Sequence, residues 1–305
     1  MTIMRVEGVT FGVEDLSECT RFLEDMGLTR DAASAEGGVT FRTPVNQHVR
    51  IVPVESREVP PPVDTGSTLR EIMWGVDSEA ALESIRNQLQ VDRPVRVSSD
   101  GTVYSIDPIG FGVAFKVTDT ANAHPVPPTY NFHRHHAPRV NDLHTLPRRA
   151  CPLELIHVAV DIPNSIRDEA RTFYIDRLKF KPIDDAGDIG VFMQAEGDLQ
   201  HHNWFMCHRT DKAGINHLCF EVPDFDSVVI SADYMIEKGW RESRRLGRHV
   251  MGSNVFRFIM APFGGRIEYA WDMDRMDKNF KTRVYEKRPG HVQWMLKAVG
   301  GRGAE

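Results

Sequence analysis

The sequence predicts an α+β protein of two domains, each built from two copies of a strand–helix–strands unit. Three observations carry that expectation. The 305 residues are enough for two domains of ordinary size. Short apolar strand-like runs recur four times, each followed by a helical segment. A proline-rich stretch separates the first two units from the last two.

The first unit opens with the strand-like run from Val6 to Val13. Its helix runs from Asp15 through Met26 and stops at Gly27, a residue suited to a left-handed C-terminal cap. The second opens with Arg70 to Val76, and its helix covers Ala80 to Leu89. From Thr118 to Pro152 lie six prolines among many polar residues, the composition of a linker or an extended crossing segment. The third unit opens with Glu154 to Asp161; Asn164 or Ser165 can cap a helix running through Leu178. The fourth opens with Ile215 to Val222, followed by a helix from about Asp226 to Lys238 that ends at Gly239. Units two and four close alike, with a turn and strand at Pro108–Phe115 and again at Pro262–Tyr269. The expected domains are therefore 1–135 and 151–290, with 291–305 as a tail. From Lys287 a late helix or arm is expected, its Trp294 and Met295 packed on the body or on a partner chain.

An apolar fraction of 41% with 26% charged residues is that of a soluble globular chain. A net charge of -6 and the absence of a basic stripe argue against nucleic acid as a partner. No signal peptide and no apolar run of membrane-spanning length is expected. Cys19, Cys151, Cys207 and Cys219 form no CxxC pair, so reduced, buried thiols in a cytoplasmic protein are expected rather than a disulfide framework. The arm and the linker suggest a homo-oligomer.

Chemistry concentrates in the C-terminal half. His157, His217 and Glu268 each sit inside a strand-like run. Two imidazoles and a carboxylate form a facial triad that holds Fe(II) and leaves three positions open, enough for a substrate and O2 together; Mn(II) accepts the same donors. Alternation in a strand puts His217 on one face and Leu218 and Phe220 on the other, and likewise sets Glu268 opposite Ile267 and Tyr269. A strongly curved sheet can bring such positions to one point. A lone strand histidine is more often a hydrogen-bonded core residue, and a lone strand glutamate more often solvated. The repeat shifts the balance: the matching positions in the N-terminal half are about Gly8, Glu71 and Ala114. Packing alone does not predict a scaffold kept in both halves with ligands in one.

On these residues the chain resembles the type I extradiol ring-cleavage dioxygenases of the vicinal oxygen chelate (glyoxalase/bleomycin resistance) superfamily, with some likeness to the trihydroxytoluene oxygenases. The resemblance implies four βαβββ modules in two domains, each domain a curved mixed sheet around a central cavity, with the N-terminal domain degenerate and the metal in the C-terminal one. It implies an aromatic diol or triol and O2 as substrates. It also marks His202, fifteen residues before His217, as the group on the O2 side and a general acid, and His249, nineteen residues before Glu268, as a contact to the substrate oxygen. The plainer readings are a surface pair for His201 and His202, facing opposite ways on a regular strand, and an ordinary polar loop for Arg248 and His249. One departure stands out: a tyrosine common in that family ten residues before the glutamate is here Phe258, which cannot hydrogen-bond through a phenol. The role would fall to His249, to Tyr269, or to a substrate with an extra hydroxyl, which favours electron-rich rings. Trp204, Asn254, Phe258 and Tyr269 are the expected pocket walls, with Trp204 as simple core the plainer reading.

The same superfamily also holds metal-dependent isomerases and transferases, and small binding proteins without a metal triad; the His202 and His249 spacings favour the oxygenase. The cluster His133, His135 and His136 falls in the linker, where ligands are poorly preorganised. Arg241 to Arg245 reads as an exposed face that edges the pocket at most, and Gly300 to Gly303 as a flexible end.

Overall fold

The computed structural model describes residues 2–33, 37–119, 130–131 and 138–297. The histidine cluster at 133–136 and the glycine-rich end at 300–303 lie outside the described residues.

The N-terminal half forms an eight-stranded mixed sheet from β1 (Ile3–Val13), β2 (Thr29–Ala33), β3 (Val39–Arg42), β4 (His48–Pro53), β5 (Thr68–Val76), β6 (Arg96–Val97), β7 (Val103–Ile106) and β8 (Gly112–Val117). Helix α1 (Leu16–Met26) follows β1 and α2 (Glu79–Leu89) follows β5. The order across the sheet is β2-β3-β4-β1-β5-β8-β7-β6, two βαβββ modules joined edge to edge through β1 and β5.

The C-terminal half repeats this order. Its strands are β9 (Glu154–Pro163), β10 (Lys181–Asp185), β11 (Gly190–Gln194), β12 (Trp204–Arg209), β13 (Gly214–Glu221), β14 (Glu242–His249), β15 (Val255–Met260) and β16 (Arg266–Trp271). Two short strands, β17 (Arg283–Val284) and β18 (Val292–Met295), extend the sheet at its two edges, beside β10 and β14. The helix or arm expected after Lys287 is therefore an edge strand, with Trp294 half-exposed. A segment whose backbone N–H groups can pair with a free edge gains more from the ladder than from an isolated short helix.

Local chemistry sets the element ends. Asp15 accepts from Glu18 N at 2.8 Å to start α1, and Gly27 closes it at φ +102°. Cys19, Phe22, Leu23 and Met26, at helical spacing, form its buried stripe. Asp224 caps α4 (Phe225–Glu237) by accepting from Ser227 N at 2.6 Å. The third module departs from expectation. Neither Asn164 nor Ser165 caps it through a side chain; a 3₁₀ turn at Asn164–Ile166 leads into α3 (Arg167–Arg171) and then a π-helical turn at Thr172–Arg177. Wide π turns let Phe173 and Tyr174 both reach the core.

The halves share one core. Phe263, before β16, packs on Phe11 at 4.6 Å and Phe22 at 5.4 Å between ring centroids. Trp74 meets Phe180 at 4.8 Å and Trp204 at 5.9 Å. Trp204 is thus core rather than a pocket wall, because its position on β12 faces the N-terminal half. Tyr269 is also fully buried in that core, and its hydroxyl finds no partner among the described residues. Lying next to Glu268 on a strand, it points to the opposite face and cannot replace the missing phenol. Three cysteines are buried and free, whereas Cys151 is exposed. Among the described residues no helix is long and apolar enough to cross a membrane.

Candidate metal centre

Strand register builds the site. In β9 and β13, His157 lies opposite Cys219; in β13 and β16, Cys219 lies opposite Glu268. His217, two residues before Cys219, shares its face, so three central strands each deliver one donor to the concave side of the sheet. The N-terminal half carries the same ladder: Gly8 opposite Met73, Met73 opposite Ala114, and Glu71 two residues before Met73.

The donor atoms converge. His157 Nε2 lies 3.0 Å from His217 Nε2, and Glu268 Oε2 lies 3.5 Å from the former and 3.4 Å from the latter. All three residues are buried. Two donors about 2.1 Å from one ion and at right angles to each other sit ~3.0 Å apart, so this spacing suits a divalent cation with cis ligands. The chemistry of the set agrees. Burial pushes the His157 and His217 pKa values down, His217 well below its usual value, which leaves neutral imidazoles with lone pairs to give. Burial works against ionisation of Glu268, but the imidazoles of His157, His249 and His217 outweigh it and hold the carboxyl well below its normal range.

Neighbours orient these donors. Asn216 Oδ1 sits 2.8 Å from His217 Nδ1, which directs the Nε2 lone pair inward, and Asn216 Nδ2 donates to Asp161 Oδ1 at 2.8 Å. Asn254 Nδ2 donates to Glu268 Oε1 at 2.8 Å and leaves Oε2 for the shared point. Asn254 is therefore both a pocket wall and a support for the carboxylate. His157 Nδ1 is buried without a partner among the described residues.

A cavity of about 540 Å³ opens over these residues. His202 and His249 flank it on different sides. The His202 ring lies 4.1 Å from that of His157 and edge-on to Phe192 at 5.0 Å, a largely apolar corner; burial takes its pKa well down. His201 and His202 are both buried, contrary to the surface-pair reading. Residues 201–203 are not a regular strand: Asn203 bonds to Ala195 N, Asp198 and the carbonyl of Ile156, and this pinned bend turns both rings inward. His249 Nε2 lies 3.4 Å from Glu268 Oε1, and its ring stacks on Phe256 at 3.9 Å. Phe258, opposite Glu268 in the ladder, lines the cavity edge-on to His217 at 5.3 Å.

The structure adds groups that sequence reasoning placed elsewhere or passed over. Arg244, from the run read as an exposed face, and Arg266 both line the cavity, at 5.7 and 5.1 Å from the Phe258 ring. Alternation could have signalled Arg266, which shares a strand face with Glu268. His291, from the tail, also lines it and accepts from Arg244; burial first, then His249 and Arg244, lowers its pKa to about 3.

Residues 155–269 match the sequence profile of the Glyoxalase/Bleomycin resistance protein/Dioxygenase superfamily. The match lies wholly within the C-terminal half. A segment of 127 residues is 32% identical to Metapyrocatechase 2 of Cupriavidus necator, covering 42% of this chain and 39% of that protein. The match thus spans about two fifths of that relative's length. Likeness in fold to solved structures extends over nearly the whole chain. A Mn(II)-bound glyoxalase from Novosphingobium aromaticivorans superposes with a TM-score of 0.73 at 19% identity, covering 96% of this chain and 91% of that one. BphC, a halotolerant catechol dioxygenase, superposes with a TM-score of 0.73 at 16% identity, covering 97% and 95%. At such identities the likeness establishes the fold, a pair of curved mixed sheets.

Proposed function

We propose that this protein is an extradiol dioxygenase, which opens the ring of an aromatic diol beside its hydroxyls with O2 at Fe(II) held by His157, His217 and Glu268. The observation that carries the reading is the convergence of these three donors at 3.0–3.5 Å, between His202 and His249, under a cavity large enough for an aromatic ring. Kinship to a metapyrocatechase supports it. Mn(II) fits the same donors. When bound, the metal supplies one point where diol and O2 meet and a path for electrons between them.

The chain's own residues divide the remaining work. His249 stands beside Glu268 and orients a ring hydroxyl through Nε2. His202, in the apolar corner lined by Phe192 and Phe205, holds or moves a proton at Nε2 on the oxygen side. Phe258 offers only a ring face and edge. Arg244 and Arg266 remain charged at neutral pH although burial lowers their pKa values, and they flank that ring. A diol carrying an anionic substituent fits this basic wall better than the neutral, electron-rich ring that the loss of the tyrosine alone suggests.

The test is anaerobic purification with metal analysis, followed by O2 uptake and near-visible absorbance on a panel of diols: methylcatechols, 2,3-dihydroxybiphenyl, trihydroxytoluenes and 3,4-dihydroxyphenylacetate. The expected result is a yellow product, one O2 per diol, and loss of both metal and turnover in His157→Ala. The acidic diol should have a KM at least about tenfold below that of a methylcatechol, since a charge-assisted contact contributes ~1.5–3 kcal/mol. A bound metal with no O2 uptake on any diol would overturn the reading in favour of isomerase or transferase chemistry.

A further inference from the structure

Behind His202 lies a chain of groups, buried as far as Asp184, that no part of the reaction outlined above uses. His202 Nδ1 is 3.0 Å from His201 Nδ1. On the far side of that ring, His201 Nε2 is 3.0 Å from Asp184 Oδ2. Arg283 closes the chain with a two-point grip on the same carboxylate, Nε to Oδ1 at 2.5 Å and Nη2 to Oδ2 at 2.8 Å. His201 and Asp184 are inaccessible to solvent, which shields the bond between them, while Arg283 at the far end of the chain is exposed. Register holds the chain together: Asp184 on β10 lies directly opposite Arg283 on β17.

Hydrogen-bond logic orders the protons. An ionised carboxylate only accepts. A bare lone pair on His201 Nε2 would face it at 3.0 Å, so Nε2 carries the hydrogen. Arg283 Nη2 also approaches Nε2, at 3.2 Å, but the carboxylate oxygen is nearer. With a single ring hydrogen, placed on Nε2, His201 has its lone pair on Nδ1. Among the described residues its hydrogen-bond neighbour there is His202 Nδ1, which must donate. The hydrogen of neutral His202 is thereby fixed on Nδ1, and Nε2, the ring nitrogen left for the cavity, is bare.

We propose that His201, held by Asp184 and Arg283, is a positioning residue that locks His202 in the tautomer whose Nε2 accepts a proton from bound substrate. The functional half of this inference rests on the ring-cleavage reading; the tautomer does not. It also changes the role expected for His202. The residue enters the reaction as a base, and donates from Nε2 only after a substrate O–H has broken and an Nε2–H has formed.

Asp184→Asn tests it. Two Arg283 donors compete for the one amide oxygen, so the amide NH2 turns to His201. That NH2 requires a lone pair on His201 Nε2, which moves the His201 hydrogen to Nδ1 and the His202 hydrogen to Nε2. The readout is 15N NMR of labelled histidines in the full chain loaded with Zn(II), a closed-shell ion without redox chemistry. Wild-type protein should show Nδ1–H for His202, and Asp184→Asn should show Nε2–H. In the Fe(II) enzyme the variant should lower kcat by about 10² or more, while KM for the diol stays within about threefold and metal content is unchanged. An Nε2–H His202 in wild type, or the same tautomer in both proteins, overturns the proposal. If the variant does not fold, the wild-type spectrum alone decides it. Should no diol be cleaved by the wild type while the tautomer inverts as described, the ring-cleavage reading falls and the lock stands.

Discussion

The smallest unit of this site is a histidine with its second nitrogen spoken for. His217 offers Nε2 to the shared point because Asn216 occupies Nδ1, and Asn216 is itself held by Asp161. Asp161 is braced in turn by Arg209 and Lys212, each at 2.9 Å. Such outer partners fix ring orientation and raise donor basicity. Asn216→Ala should therefore weaken metal binding by about 10–100-fold without unfolding the sheet. Titration against a competing chelator reads this directly, and unchanged affinity would mean that strand geometry alone aims the ring. His157 provides the contrast, since its Nδ1 has no partner among the described residues and burial between β9 neighbours must hold the ring.

At the scale of elements, the edge strand after Glu286 serves the cavity rather than the triad. Strand β18 pairs with β14 through Gly247, Arg248 and His249, and the segment before it brings Arg288 and His291 to the cavity wall. Truncation after Glu286 should leave the metal content intact and raise KM by about tenfold, the loss of one charge-assisted contact. Metal analysis beside steady-state kinetics separates the two effects; loss of metal would place the tail in the support of the ligands. This element also marks where sequence reasoning stops. That His157, His217 and Glu268 share one point was legible because their places within a repeated unit are a local property, whereas His202 and His249 were marked only by resemblance to a family. The edge strand was not, because Val292–Met295 has no pattern of its own and forms only where β14 presents an unpaired ladder. Trp204 and Tyr269 were misplaced for a related reason: alternation gives two faces, and only the packing of the two halves decides which face is cavity and which is core.

At the scale of the whole molecule, the two halves are one ladder used twice, once with ligands and once without. In the N-terminal copy, the position of His157 is Gly8, and the His48 ring fills the space above it; a Cβ on Gly8 would come within 2.4 Å of His48 Nε2. Burial, with Lys116, Arg42 and Arg50 nearby, lowers the His48 pKa to about 4, so the ring is a neutral plug. The position of His217 is Glu71, a carboxyl enclosed where no cation is bound by three donors. Burial raises its pKa from 4.5 to about 7, with Arg96 and Arg50 offsetting only part. A carboxyl with a folded-state pKa above its unfolded value binds its proton more tightly when folded, so stability falls as pH rises through the window from 4.5 to 7. Above that window the whole penalty applies, at most about 3 kcal/mol. Glu71→Gln keeps the shape and removes the charge. It should stabilise the protein by about 1–3 kcal/mol at roughly pH 8 and leave it nearly unchanged near pH 4.5. Urea midpoints of both proteins at the two pH values decide the matter. A gain of equal size at both would mean that packing, not the buried charge, separates them, and a loss at pH 8 would mean that the ionised Glu71 has a cation after all.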